Sequence, residues 1–593
     1  MGDNSLSSKF IDFLFNKRNL YLILIIILAF ALRSILAANA EPLADEMSVA
    51  LRSIDAHKSG TMNSIDQSHS FYFLNEIVYK ISGNISLFTA RFTSVFFGIL
   101  SILLIYLIVM KLYKSEKVAI VACFLAAVSG MQIRYSLAEM DITMAFFVLI
   151  STYTFLAAVH DKKNGMYYLS ALFLGLAIAI KTFAVVWGLS YIAFYLHYCY
   201  ANKEYRKEYL GKKGLKIAIV CIVIVLLFLL PTIIANYLLY KDKGIVDLQA
   251  ARFLNISKDF YKGLGGIDSP FMLSQLATGT KAGFSAFWRF DALISILAIL
   301  GFVITFKKYK DANIFLFWWF IFAFLFIAGT AWLDTHFVFN TLIFSIFASL
   351  FLVEIDAKIS EKTKFKKFLP IALIAVLAIN LWVLSPYLTS QTAISKMRSF
   401  SVENIATDSL VIADQRIYRG RTAFMFNDRA YVESESINMI LSQLDEQYPG
   451  MKKPIKTYFI ECIPDDCGWG TIAAQPELNQ SVENMIIFFK NNSISDRVIY
   501  GGGSPGEKEQ TKSGYFRVYE TTLEINPLII NAVWQTHTHY FYPVGWEGEI
   551  YDRYSVHSTG DELLNKFGFF IFYITIALEA LSPLVIIWFF RRK

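Results

Sequence analysis

Cysteine is scarce, with five among 593 residues. Cys123, Cys199 and Cys221 fall inside apolar segments, where a small soft side chain is ordinary packing. Cys462 and Cys467 flank Ile-Pro-Asp-Asp. An oxidising compartment would close them into a small disulfide loop, although the spacing alone leaves the pairing open. A metal site there would need two further ligands. Internal repeats and low-complexity tracts are also missing, which argues against a secondary transporter built from repeated halves. The glycine-rich turn Gly501 to Gly503, continued by Ser504-Pro505-Gly506, lacks the Lys-Ser/Thr that completes a phosphate loop. Acidic residues are outnumbered, 48 against 55 Lys and Arg, leaving a formal charge of +7. Membrane topology and anionic lipid absorb that excess, so no nucleic-acid partner is called for.

Apolar residues, by contrast, are abundant. Hydrophobic residues make up 55% of the chain, 53 of them Phe, and the mean hydropathy is +0.47, more than a soluble core hides. The expected fold class is a polytopic α-helical membrane protein. A hydrocarbon core about 30 Å thick takes roughly 20 apolar residues per helix. Twelve such stretches lie near 19–38, 90–110, 118–133, 141–159, 166–180, 183–200, 215–238, 291–306, 312–332, 337–355, 368–388 and 567–590. Basic clusters such as Lys111/Lys114/Lys117, Lys162/Lys163, Lys307/Lys308/Lys310 and Lys362 to Lys367 fall on alternate connections. Cytoplasmic loops retain Lys and Arg, so both termini are expected inside.

This reading divides the chain into a membrane module over 1–388, with outer loops at 39–89 and 239–290, a soluble α/β domain on the outer face over 389–566, and a last membrane helix within 567–593. Strand-like runs at Leu410–Ala413, Thr457–Ile460 and Tyr515–Tyr519, with a helical stretch near 481–491, describe the soluble domain.

Charges at a membrane face are costly, and each is a functional candidate. Asp45 and Glu46 follow the first apolar segment directly; Asp45 reads as a base at the hydrocarbon edge or as a helix N-cap. Asp141, preceded by Arg134 and Glu139, opens the fourth segment at the same face, again as a functional carboxylate or a cap. Lys181 interrupts the run Leu174 to Phe183 at the outer end of the fifth segment. A cation there needs an anion, either a lipid-borne phosphate or a protein carboxylate. His336 lies in a short outer turn and Arg289 at the expected start of the eighth segment, as site cations or interface anchors. His537 and His539 read as aromatic-belt residues beside Trp534, Tyr540 and Tyr542, or as a metal pair if they share a strand face. Acids and cations gathered on one face suit transfer of a group from a phosphate ester to a hydroxyl or amine.

The sequence resembles the GT-C glycosyltransferases that use polyprenyl-phosphate sugars, in particular lipid A aminoarabinose transferases and protein O-mannosyltransferases. The resemblance rests on ordered elements over about residues 10–390. These are Ala44-Asp45-Glu46, the stretch Phe88 to Tyr113 with Arg91, the run Arg134 to Asp141, and Gly175-Leu176-Ala177 through Lys181. It implies a metal-free, cofactor-free single displacement with inversion at the anomeric carbon. In that scheme Asp45 activates the acceptor and Asp141 shapes the pocket, with Glu46 beside them. Lys181, with Arg91, would contact the donor phosphate; on the reading of the residues themselves Arg289 and His336 hold that phosphate as it leaves, and Arg134 is a further substrate-binding candidate. It also implies a bacterial or archaeal plasma membrane with the site extracytoplasmic, and membrane lipid, donor and an unspecified lipid, glycan or protein acceptor as partners. Two features depart from the family pattern. Gln67-Ser68-His69-Ser70 lacks the paired prolines usual in the first outer loop, with His69 in the equivalent place. A membrane helix follows the soluble domain, which usually ends the chain. A transporter or flippase, or a polysaccharide polymerase or ligase, is the alternative of similar helix count.

Overall fold

The computed structural model describes residues 17–40, 46–58, 61–63, 70–257, 273–330, 334–363, 367–389, 393–417, 419–426, 428–434, 436–463, 476–499, 516–536 and 554–591. Asp45, His69, Cys467, His537, His539 and the 501–506 turn lie outside them. The chain forms two compact units, one made of 1–37, 55–385 and 552–593, the other of 38–54 and 386–551.

The described residues of the first unit are mainly helical. Its helices are α1 (Lys17–Asn39), α3 (Ser70–Ser82), α4 (Leu87–Tyr113), α5 (Glu116–Val128), α6 (Gly130–Arg134), α7 (Met140–Asp161), α8 (Asn164–Ile180), α9 (Val186–Ala201), α10 (Lys203–Tyr209), α11 (Lys212–Lys243), α12 (Leu248–Leu254), α13 (Leu276–Thr305), α14 (Lys310–Thr330), α15 (Val338–Thr363), α16 (Phe368–Thr389, which ends in the second unit), α22 (Thr559–Leu581) and α23 (Pro583–Arg591). Among the described residues ten helices are long and apolar enough to cross a membrane. The protein is a multi-pass integral membrane protein. The expected twelve crossings thus become ten spanning helices and two shorter ones, α5 of 13 residues and α8 of 17. Ser129 is the reason for the first: its side chain accepts from the Gln132 amide and starts the separate helix α6. Lys181 is the reason for the second, adopting an extended conformation (φ −150°, ψ 118°) that ends α8.

Local signals set many of the other boundaries. Ser86 and Thr89 exchange side-chain and backbone hydrogen bonds in a capping box at the start of α4. Lys114, left-handed at φ 52°, ends α4, and Ser115 caps α5. Two helices start earlier than their apolar stretches. Helix α13 begins at Leu276, where the sequence pointed to 291, because the break at Asp291 lies inside it. The last crossing is Thr559–Leu581, where the sequence pointed to 567–590. Pro583, lacking an N–H, begins α23 as a separate helix after Ser582.

Close helix approaches depend on glycine. A Cβ on Gly301 of α13 would stand 1.9 Å from the Phe347 carbonyl oxygen of α15. Gly301→Val therefore has to push two backbones apart. We expect it to cost at least about 1–3 kcal/mol, read as a lowered thermal midpoint in detergent.

The second unit contains α2 (Glu46–Arg52), α17 (Ala393–Asn404), α18 (Arg419–Phe426), α19 (Ile437–Gln447), α20 (Pro476–Asn492), α21 (Ile529–Thr536) and a five-stranded mixed sheet ordered β2-β1-β3-β5-β4. Strand β1 (Leu410–Ala413) runs parallel to β2 (Ala430–Glu433) and β3 (Lys453–Cys462), whereas β5 (Phe516–Ile525) is antiparallel to β3 and β4 (Ser495–Ile499) is antiparallel to β5. Phe459 faces Tyr519 in register and stacks on Phe489 of α20 at 4.8 Å, within a core that includes Leu410, Ile412, Val432 and Val533. Strands β1, β3 and β5 contain the strand-like runs of the sequence. β2 is a four-residue strand, and β4 is an edge strand whose Ser495, Asp496 and Arg497 are exposed, so neither carries a strong apolar signal. Cys462 is disulfide-bonded, and the cysteines free among the described residues are Cys123, Cys199 and Cys221.

Candidate active site

Helix α7 starts where α8 ends, and this puts Asp141 next to Lys181. Asp141 lies in the first turn of α7 and is buried. Lys181, released from the helix by its extended backbone, reaches back so that Nζ sits 3.0 Å from both carboxylate oxygens. His336, in the turn before α15, holds Nε2 4.0 Å from Asp141 Oδ2. The Phe183 ring lies under the ammonium at 5.6 Å and beside the His336 imidazole at 6.4 Å. The side chains of Asp141, Lys181 and His336 retain 4%, 16% and 16% exposure. The acid is therefore shielded, while the Lys181 ammonium and the His336 ring still open to a ligand.

Two residues before His336, Asp334 anchors a second group. Its Oδ2 is 3.4 Å from Arg289 Nη1 and 3.4 Å from the Tyr135 hydroxyl. Arg289 is not at the start of a helix, as its sequence context indicated, but in the last turn before the break in α13. That break is Asp291, buried and non-helical at φ −137°, ψ 34°. Its carboxylate accepts from Ser129 Oγ (2.7 Å), the Gly130 amide (2.8 Å), the Met131 amide (3.0 Å) and Asn380 Nδ2 (3.3 Å). The backbones meet so closely that a Cβ on Gly130 would stand 2.3 Å from the Phe290 carbonyl oxygen. Asp291 thus fixes the N-terminus of α6, which carries Arg134 and leads into Tyr135.

Arg91 is buried on α4 and donates to the Ala37 carbonyl at 2.9 Å, tying α4 to the end of α1. Glu46 is buried in α2 of the second unit. The geometry therefore brings together Asp141, Lys181 and His336, with Arg289 of α13 joined to Asp334, two residues before His336, and Arg134 ending α6. The sequence reading missed Asp291, Asp334, Tyr135 and Phe183. A lone carboxylate in the apolar run around 291 was a signal for the first, since such a charge is rarely idle. Asp334 lies two residues before His336, where an outer turn makes an aspartate ordinary and gives it no distinguishing signal.

Salt links sort the bundle ends. Lys117 pairs with Asp356 (2.6 Å), Lys308 with Glu354 (2.8 Å) and Lys111 with Asp161, all on connections assigned to the basic face. Lys181–Asp141, Arg289–Asp334 and Lys241–Asp561 (2.5 Å) lie at the opposite helix ends. Elsewhere, Asp55, His57 and Glu76 present ligand atoms within 4.8 Å of one another. Lys80 Nζ already sits 2.5 Å from Glu76, so a cation would have to displace an ammonium. An apolar groove of about 710 Å³ runs along α8, α9 and α11, lined by Leu174, Ile178, Val185, Ile192 and Leu226 among others. Ile178 and Val185 flank Lys181 in sequence.

Residues 66–234, which hold Arg91, Arg134, Asp141 and Lys181, match the family of dolichyl-phosphate-mannose-protein mannosyltransferases. The chain also superposes on ArnT from Cupriavidus metallidurans bound to undecaprenyl phosphate, with a TM-score of 0.52 at 11% identity, covering 84% of this chain and 97% of that one. This is a GT-C-like fold. The apo form of the same ArnT gives a TM-score of 0.50 at 11% identity over 87% and 98% of the two chains. Oligosaccharyltransferase AglB from Archaeoglobus fulgidus, in complex with an inhibitory peptide and a dolichol-phosphate, aligns with a TM-score of 0.46 at 12% identity over 83% and 81%. No curated protein matches by sequence. In the GT-C-like architecture seen here, the Asp141–Lys181–His336 cluster sits on the junctions of α7, α8 and α15.

Proposed function

We propose that this protein is a membrane glycosyltransferase that moves a sugar from a polyprenyl-phosphate donor to a lipid, glycan or protein acceptor at the extracytoplasmic face. The observation that carries this reading is the Lys181 ammonium, held 3.0 Å from Asp141 with His336 alongside and still partly open. A polar cluster of this kind at a helix junction is where a lipid head group can be met without burying it in hydrocarbon. The mannosyltransferase family match over 66–234 and the undecaprenyl phosphate bound to the Cupriavidus ArnT support the donor class.

In this mechanism Lys181 exchanges part of its contact with Asp141 for a donor phosphate oxygen. Arg289 adds positive charge where the leaving group develops negative charge, and the His336 ring offers it an N–H. The isoprenoid tail lies in the groove beginning at Ile178 and Val185. The bond between the anomeric carbon and the phosphate oxygen breaks as the acceptor oxygen or nitrogen bonds to the opposite face of that carbon. The acceptor proton passes to Asp45, and the configuration inverts. Asp141 keeps Lys181 extended toward the phosphate, and Glu46 completes the acidic pair in sequence. No metal enters this scheme.

The test is turnover by the purified chain in detergent, supplied with polyprenyl-phosphate sugars of several kinds and assayed for free lipid phosphate. Asp45→Asn should reduce turnover by about 10²-fold or more, the scale of a general base. Equal rates for parent and variant would remove Asp45 from the chemistry. Failure of every donor would sink the transferase reading.

A further inference from the structure

One carboxylate beside the Lys181 cluster has no part in the proposed chemistry. Asp334 opens a single 3₁₀ turn, Asp334–Phe337, in which Thr335 and Phe337 are buried while Asp334 and His336 are not. The two open side chains therefore share one side of the turn. At about 2.0 Å of rise per residue they stand roughly 4 Å apart along its axis. His336 is the member that approaches Asp141 of the Lys181 pair. Asp334, with 31% of its side chain exposed, uses Oδ2 for both Arg289 Nη1 and the Tyr135 hydroxyl, each at a long 3.4 Å. Its Oδ1 accepts no hydrogen bond from the described residues.

A carboxylate cannot serve a phosphate, because two anions side by side repel each other. What it can do is accept protons, and a hydroxyl donating to it makes a charge-assisted hydrogen bond. The donor offers hydroxyls in one place only. Its sugar is bonded directly to the phosphate, whereas its tail leaves the phosphate for the apolar groove. That groove runs along α8, α9 and α11 and is not lined by the 334–337 turn. With the phosphate at Lys181 and His336, the sugar is the part of the donor that falls before Asp334. Arg289 and Tyr135 hold Oδ2, and so fix where the unused Oδ1 stands. A sugar bearing its own carboxylate would be repelled there, so one side chain both selects and rejects.

We propose that Asp334 is the residue that reads the donor sugar, accepting a ring hydroxyl on Oδ1 and excluding sugars that carry a carboxylate. This rests on the reading of Lys181 and His336 as the phosphate contacts, and binding measurements keep the two apart. The full chain in detergent is loaded with radiolabelled polyprenyl phosphate. Three competitors are then compared: unlabelled polyprenyl phosphate, neutral sugar esters of the same carrier, and their uronosyl counterparts. The parent should bind its best neutral ester at least about tenfold more tightly than the uronosyl form, the worth of one charge-assisted hydrogen bond. Asp334→Asn and Asp334→Ser should weaken the neutral ester by a similar factor and bring the two esters level. Their affinity for bare polyprenyl phosphate should match the parent's, which also shows that they fold. Equal losses for ester and bare carrier would mean that Asp334 acts only by holding Arg289, and would overturn the proposal. So would a parent that binds neutral and uronosyl esters alike, a result that stands even if neither variant folds. A parent that binds none of the three lipids overturns the transferase reading itself, and the sugar contact with it.

Discussion

Lys181→Met is expected to abolish donor turnover and to weaken the fold at once, and the two effects separate in a double variant. The single change leaves Asp141, whose side chain is 4% exposed, as a buried carboxylate without its ammonium. Removing one partner of such a pair costs about 3–5 kcal/mol, because the remaining charge is neither solvated nor paired. Adding Asp141→Asn removes that charge. The Lys181→Met/Asp141→Asn protein should regain most of the parent's thermal midpoint in detergent and still release no lipid phosphate. If the double variant turned over donor at the parent rate, the pair would be a structural tie and nothing more. His336→Gln should act more mildly, since its Nε2 is 4.0 Å from Asp141; a modest rise in donor KM is the expected result.

Asp291→Ala should be the most damaging single substitution away from the Lys181 cluster. It strands the Gly130 and Met131 amides and the Ser129 hydroxyl in a buried junction. Each stranded donor costs about 1–3 kcal/mol. Ser129→Ala removes one of those bonds together with its own donor but also the side-chain cap on the Gln132 amide, so its cost should be about 1–2 kcal/mol. The comparison isolates the role of Asp291 as an anchor for α6. The thermal midpoint should fall steeply in the alanine variant and slightly at Ser129. Matching midpoints would mean that water takes over the contacts of the lost carboxylate.

These two residues also mark the boundary of what sequence reading achieves here. Apolar runs of about 20 residues identify membrane helices because hydrocarbon leaves the backbone no other partner than itself. Short strand-like runs likewise located β1, β3 and β5. Lys181 and Asp141 were legible as candidates, since charges in such runs are expensive enough to need a reason. Their partnership was not, because 40 positions separate them and only the antiparallel packing of α7 on α8 brings one's start beside the other's end. Asp291 lay further out of reach. Its function is to accept amide protons from α6, and backbone donors have no signature in side-chain patterns. The extended conformation of Lys181 belongs with it, as a choice made by the neighbours of α8.

The residues alone determined that this chain lives in a bilayer, roughly how many helices it has, and which ionisable groups lie at helix ends, since transfer free energy is local and nearly additive along the sequence. Tertiary structure alone decided which carboxylate faces which cation, which serine gives its proton to which carbonyl, and where a helix breaks. Those outcomes depend on contacts between positions far apart in the chain, and a hydrogen bond or ion pair acts only at a few ångströms.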